Sequence, residues 1–184
     1  MSAIATKLVT ADELLKMGDI GRCELIYGEL VMMSPAGFGH GEIASRIAMF
    51  LGNFVEEHDL GVVLAAETGF YVERSPDLVR APDASFVRKA RIPKAEWNNF
   101  FSGVPDLAVE VVSPGDTPRV VAEKVNMWLA HGTISCWVAD PKLMTVTIHR
   151  AATQPIQLTL QDKIENDPAV PGFILPISKI FKRP

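Results

Sequence analysis

Apolar residues recur along this chain with two different periods, and the switches between them mark its elements. Thr10, followed by Glu13, fits a capping box and predicts a short helix over "ADELLKM", stopped by Gly18. "CELIYGELVMMSP" alternates as two short strands turned at Tyr27-Gly28. Ile43, Ile47, Phe50, Leu51 and Phe54 then fall at helical spacing, with Glu42, Arg46, Asn53, Glu56 and Glu57 elsewhere. That pattern predicts an amphipathic helix of about four turns. "GVVLAAETGFYVE" and "LVRAPDASFVR" read as strands, the first ending in a turn near Ser75-Pro76. "KARIPKAEWNNFFSG" is polar, aromatic and irregular, and reads mainly as a loop. "PDLAVEVVS" is a strand, and "DTPRVVAEKVNMWLAHG" is a helix with Asp116 or Thr117 as N-cap, Pro118 in its first turn and Gly132 as stop. "TISCWVAD" and "TVTIHRA" are strands, and the apolar tail "PGFILPISKIF" is expected to dock on the body.

A helix between two strands, "PDLAVEVVS" and "TISCWVAD", predicts a right-handed parallel crossover, whereas the earlier strands are hairpin-like. The expected fold class is therefore α/β (α+β), a mixed sheet flanked by helices, in a single domain over residues 1–184. The chain has no repeats or low-complexity linkers, and its 48% hydrophobic and 22% charged residues are those of an ordinary globular protein. No apolar run reaches the roughly 18–20 residues that span a bilayer. The N-terminus lacks the basic and apolar regions of a secretion signal, and Cys23 and Cys136 are too few for a disulfide framework or zinc site. A cytoplasmic protein with reduced thiols is expected. The net charge of −4 argues against a nonspecific nucleic-acid coat but leaves room for a local basic cleft.

Glu110 interrupts the apolar strand "PDLAVEVVS". Both faces of that strand read as covered, so an ionised carboxylate there needs a counter-charge or a metal. The alternative is a strand-end glutamate that reaches solvent or a lysine. In the following helix Val121, Val125 and Trp128 form a stripe, and Lys124 lies along it, either snorkelling to water or facing an anion. Asp83 follows Pro82 at the mouth of "ASFV", as a turn residue or a ligand. Glu24 breaks the alternation of "CELIYGEL". Carboxylates converging near one lysine suit Mg²⁺ or Mn²⁺, with the lysine placing a water or meeting charge on a phosphate.

"YGELVMMSP", the following His40, the "PD" at Asp83, "PDLAVEVVSP", "EKVNMWLAHG", "WVADP" and "PGFILPISKIF" together resemble the Uma2 family, across about Thr10 to Phe181. The resemblance implies a restriction-endonuclease-like fold of the PD-(D/E)XK nuclease superfamily. By that likeness Asp83 matches the first metal ligand and Glu110 the second. Val112 stands where the superfamily pattern has its lysine, and Lys124 matches the position from which the Uma2 family supplies it instead. Glu24 matches the glutamate of the "ELI" segment, a ligand directly or through water. His40 matches a family histidine, as an accessory to the site or as a helix residue packed on the sheet. Trp128 departs from the tyrosine of most members, which removes a hydroxyl.

The function implied is a Mg²⁺- or Mn²⁺-dependent endonuclease that hydrolyses DNA and leaves a 5′-phosphate and a 3′-hydroxyl. Arg46, Arg80 and the basic run of Arg88, Lys89, Arg91 and Lys94 are candidate phosphate contacts, the run equally readable as a solvated loop. A catalytically inactive binding or assembly protein is the alternative. A carboxylate-pair glycosidase fits less well, because it gives Lys124 no role. DNA and a second copy of the chain are the expected partners, with "ELVMM" and "PGFILPISKIF" as apolar surface for a homodimer, and no membrane.

Overall fold

The structure, a computed structural model, describes residues 8–95 and 97–182. The first helix, α1 (Ala11–Lys16), opens on the expected capping box: Thr10 accepts from the Glu13 amide and the Glu13 side chain bonds back to Thr10. Strands β1 (Cys23–Ile26) and β2 (Glu29–Met32) form a hairpin. Its two turn residues, Tyr27 and Gly28, have φ of 51° and 83°, the pattern of a type I′ turn whose twist suits flanking strands. Helix α2 (Phe38–Glu57) is 20 residues long, and buries Ile43, Ile47, Leu51 and Val55. There follow β3 (Gly61–Ala65), β4 (Phe70–Glu73), β5 (Leu78–Arg80) and β6 (Ala84–Arg88). After a single 3₁₀ turn at Lys89–Arg91, the loop leads to β7 (Phe101–Ser102) and β8 (Leu107–Val111). Helix α3 (Pro118–Ala130) is capped by Thr117, whose side chain accepts from the Val120 amide. The chain ends through β9 (Ser135–Asp140), β10 (Thr145–His149), β11 (Ile156–Leu158), β12 (Lys163–Ile164), β13 (Leu175–Pro176) and α4 (Ile177–Ile180).

Two mixed sheets carry the molecule, one more than the sequence reading separates. The larger has the order β11-β10-β9-β8-β6-β3, and the other β2-β1-β5-β4-β7; β12 and β13 pair by themselves. The expected crossover is present: β8 and β9 are parallel, joined through α3. Both predicted strands of the middle region divide between sheets. "GVVLAAETGFYVE" becomes β3 in the larger sheet and β4 in the smaller, broken at Glu67 with φ of 73°. A Cβ at Gly69 would stand 2.4 Å from Phe100, so glycine is needed where the chain turns away. "LVRAPDASFVR" becomes β5 and β6, and the chain changes sheets at Ala81–Pro82–Asp83.

The larger sheet is covered on both faces. On one, α2 and the C-terminal residues Phe173, Leu175, Ile177 and Ile180 pack on Phe86, Val109 and Val111. On the other, Val125 and Trp128 of α3 pack on Ala108, Cys136 and Val138, with Phe70 from the smaller sheet. Side chains alternate along a strand, so Glu110 shares the α3 face with Ala108. Among the described residues no helix is long and apolar enough to cross a membrane.

Candidate active site

Because Glu110 lies on the face that α3 covers, its carboxylate meets that helix. Lys124 Nζ donates to Glu110 Oε2 at 3.0 Å and Trp128 Nε1 donates to Oε1 at 2.8 Å. Glu110 is 6% exposed. Burial pushes its pKa up, Lys124 opposes that, and the nearby negative charge of Asp83 adds to it. Burial alone would lower the pKa of Lys124; the Glu110 carboxylate outweighs it and holds the ammonium above its ordinary range, with Glu24 helping and Arg80 opposing. A carboxylate this buried is tolerated because two donors face it, one of them a cation.

Asp83 sits where the chain passes from β5 to β6. Its Oδ2 accepts the Val111 amide at 2.7 Å, beyond the end of the β6–β8 pairing, and lies 3.2 Å from His40 Nε2. The Asp83 amide in turn donates to the Val109 carbonyl. This bracing fixes Asp83 against the strand that carries Glu110. His40 is in the first turn of α2, and its hydrogen bond to Asp83 holds its pKa above the ordinary imidazole value, against the effects of burial and Arg22.

Glu24 arrives from the other sheet. The pairing of Leu25 with Val79 sets it opposite Arg80, and Arg80 Nη1 lies 3.1 Å from its Oε2 while the Ala81 amide donates to its Oε1 at 3.1 Å. The five predicted site residues, Asp83, Glu110, Lys124, Glu24 and His40, thus gather at the junction of the two sheets. Two further participants are not marked for this place by the sequence pattern. Trp128 reads there as core and as a lost hydroxyl, yet its indole N–H supplies a donor to Glu110. Arg80 reads as one of several candidate phosphate contacts, yet its side chain is 12% exposed and paired with Glu24.

The basic loop is differently employed. Arg91 Nη1 lies 3.0 Å from Asp106 Oδ2, the Arg88 amide donates to the same carboxylate, and Lys89 pairs with Asp59. Lys94 is exposed.

Among the described residues, no group of three or more His, Cys, Asp or Glu side chains is disposed to hold a metal ion. The carboxylates at the junction are Asp83, Glu110 and Glu24, and each already has protein partners, Glu110 and Glu24 at both oxygens. Such a set fits Mg²⁺, which takes one or two carboxylates and fills its remaining positions with water and substrate phosphate. Mutual repulsion between Asp83 and Glu110 is the electrostatic demand a divalent cation meets. Two openings border other members of the cluster rather than the pair itself: a pocket of about 400 Å³ bordered by Glu24 and Arg80, and a groove of about 1010 Å³ that starts at His40 and runs between α3 and β9–β10.

The crystal structure of a protein described as a "putative nuclease belonging to DUF820" from Anabaena variabilis ATCC 29413 is similar in fold. It matches with a TM-score of 0.79 at 23% identity, over 94% of this chain and 97% of that one. No curated protein matches the sequence. The sequence model of Uma2, described as "Putative restriction endonuclease", matches residues 11–178, and on that match the chain belongs to the Uma2 family.

Proposed function

We propose that this protein is a metal-dependent nuclease that hydrolyses phosphodiester bonds of DNA at the junction of its two sheets. The observation that carries the reading is the contact of Lys124 with a buried Glu110 beside a braced Asp83. Family membership supports nucleic acid as the substrate class. Asp83 and Glu110 would hold Mg²⁺ or Mn²⁺, which when bound would polarise the phosphate and acidify a water. Trp128 and Lys124 keep the Glu110 carboxylate oriented, and His40 and the Val111 amide do the same for Asp83. Lys124, cationic at neutral pH, places a water for attack or meets the charge that develops on the phosphorus. Glu24 supports the pair from β1, through the groups it already binds or through a water.

The test is cleavage of plasmid and linear duplex DNA in Mg²⁺ or Mn²⁺ by the wild type, Glu110→Ala and Lys124→Ala. Loss of cleavage in both variants is expected; cleavage unchanged in both removes this site from the reaction.

One observation favours a second reading, an inactive binding or assembly protein: cations of the basic loop that the sequence offers as phosphate contacts are paired with Asp59 and Asp106. A thermal melt separates the two. Millimolar Mn²⁺ raises the Tm of a working site and leaves a vestigial one unchanged. A homodimer is the assembly we favour. Edge strand β2 and the residue after it expose Val31, Met32 and Met33, which a second copy would cover. Light scattering coupled to gel filtration reads the mass directly.

A further inference from the structure

Arg80 has a place in the fold that its pairing with Glu24 does not exhaust. A guanidinium carries five N–H donors, and one nitrogen, Nη1, lies against Glu24. The side chain is 12% exposed and borders the pocket of about 400 Å³ that Glu24 and Ala81 also line. Its charge opposes that of Lys124, which does not itself border this pocket. Three residues further on is Asp83. Arg80 is also held firmly: Glu24 stands opposite it across β1 and β5, and the same carboxylate fixes the next amide, Ala81.

The charge of the cluster gives this arrangement a purpose. Asp83, Glu110 and Glu24 are carboxylates, Lys124 and Arg80 are fixed cations, and His40 lies 3.2 Å from Asp83. A divalent cation added there would leave the cluster positive, which complements a phosphodiester. Removing Arg80 takes away one of its positive charges and weakens that complementarity. A guanidinium also matches phosphate oxygens with parallel donors, where an ammonium offers a point charge. We infer that Arg80 is the phosphate-binding residue of this site, that its ligand is a phosphodiester of the nucleic-acid strand beside the carboxylate pair, and that Glu24 is the positioning residue that presents it. The inference rests on the nuclease reading and supplies its substrate contact.

The experiment compares wild type, Arg80→Ala, Arg80→Lys, Glu24→Gln and the double variant Glu24→Gln/Arg80→Ala. The double variant removes both charges, so Glu24 is not left buried beside an empty place if Arg80→Ala alone fails to fold. Binding of a fluorescein-labelled DNA duplex is measured with Ca²⁺ in place of Mg²⁺, and cleavage kinetics with Mg²⁺. Loss of a charge-assisted contact predicts weaker duplex binding by about 10- to 100-fold in Arg80→Ala and the double variant. Arg80→Lys keeps the charge and falls between, and added guanidinium ion restores part of the Arg80→Ala activity. Rescue of kcat/KM at a guanidinium concentration that leaves the Tm of the variant unchanged does not follow from a merely structural role. Duplex affinity and kcat/KM equal to wild type in a folded variant lacking Arg80 would overturn the inference. If the wild type cleaves nothing, the nuclease reading fails by itself, and the binding measurement still decides the role of Arg80.

Discussion

Replacing Lys124 with Met keeps the stem that covers the core and removes the ammonium alone. Glu110, 6% exposed, then has only Trp128 as its partner on α3. Removing one member of a fully buried ion pair costs about 3–5 kcal/mol, because the other charge stays buried. Two features of this pair reduce that figure. The Lys124 side chain is 20% exposed, so water replaces part of its interaction, and the indole N–H still donates at 2.8 Å. The expected loss is therefore about 2–3 kcal/mol. The double variant E110Q/K124M removes both charges, and the side-chain amide that replaces the carboxylate can still accept from Trp128. It should be less destabilised than K124M by about 1–2 kcal/mol. Urea unfolding at pH 7 in EDTA, followed by tryptophan fluorescence, measures both. K124M within about 0.5 kcal/mol of wild type, or a double variant no more stable than K124M, would refute the claim that Lys124 compensates a buried Glu110 charge. Under the nuclease reading, folded K124M should also lose about 100-fold or more in kcat.

Trp128→Phe keeps an aromatic ring in the core and deletes the donor to Glu110. It should cost about 1–3 kcal/mol in the same urea assay, and a value near zero would make the contact incidental. Asp77 accepts the Ala11 amide at 2.7 Å and so ties α1 to the sheet. Burial pushes its pKa up, but the Ala11 amide, the Tyr71 hydroxyl and the Ser75 amide prevail and hold it below the ordinary aspartate value. Its stabilisation is complete above the unfolded value and is lost as pH falls through the folded one. Asp77→Ala should accordingly cost about 1–2 kcal/mol at pH 7, with the gap to wild type narrowing as urea unfolding is repeated at pH values below that of the free side chain. In the basic loop, Arg91→Ala strips a partner from Asp106, which is 3% exposed, and should cost about 1–3 kcal/mol. Lys94→Ala should cost less than about 0.5 kcal/mol, and equal effects in thermal melts would contradict the different roles given to these two cations.

What is legible in the sequence is what short-range periodicity decides. Lys124 can be placed on the inward face of α3 because Val121, Val125 and Trp128 lie within a turn or two of it. Glu110 declares itself by interrupting an apolar run. Pairing between distant strands leaves no such mark. Nothing near Arg80 says that it faces Glu24, since the β1–β5 register joins segments more than fifty residues apart. The basic loop is visible as a charge run, but its partners Asp59 and Asp106 come from elsewhere in the chain. The division of "GVVLAAETGFYVE" between two sheets is equally hidden. Its apolar residues are as dense in β4 as in β3, and only Thr68-Gly69 hints at a break.

Under the nuclease reading, the same distinction explains how the lysine can stand away from the place that the resemblance to the PD-(D/E)XK pattern implies. Val112, two residues past Glu110, shares the parity of Glu110 on the α3 face, and borders the groove there. A lysine at that position would approach the carboxylate along the strand. Lys124 approaches it from above, on a helix that the parallel β8–β9 crossover obliges to pack across β8 and β9. The ammonium reaches the same carboxylate by either route, because the lysine stem is long. Moving it to α3 has a structural consequence: the helix must be held in register over Glu110, and Trp128, one turn beyond Lys124, both fills the core and bonds the second carboxylate oxygen. Packing of α3 and orientation of Glu110 are then one interaction, so a substitution that shifts this helix should disturb the site even when all five predicted site residues remain.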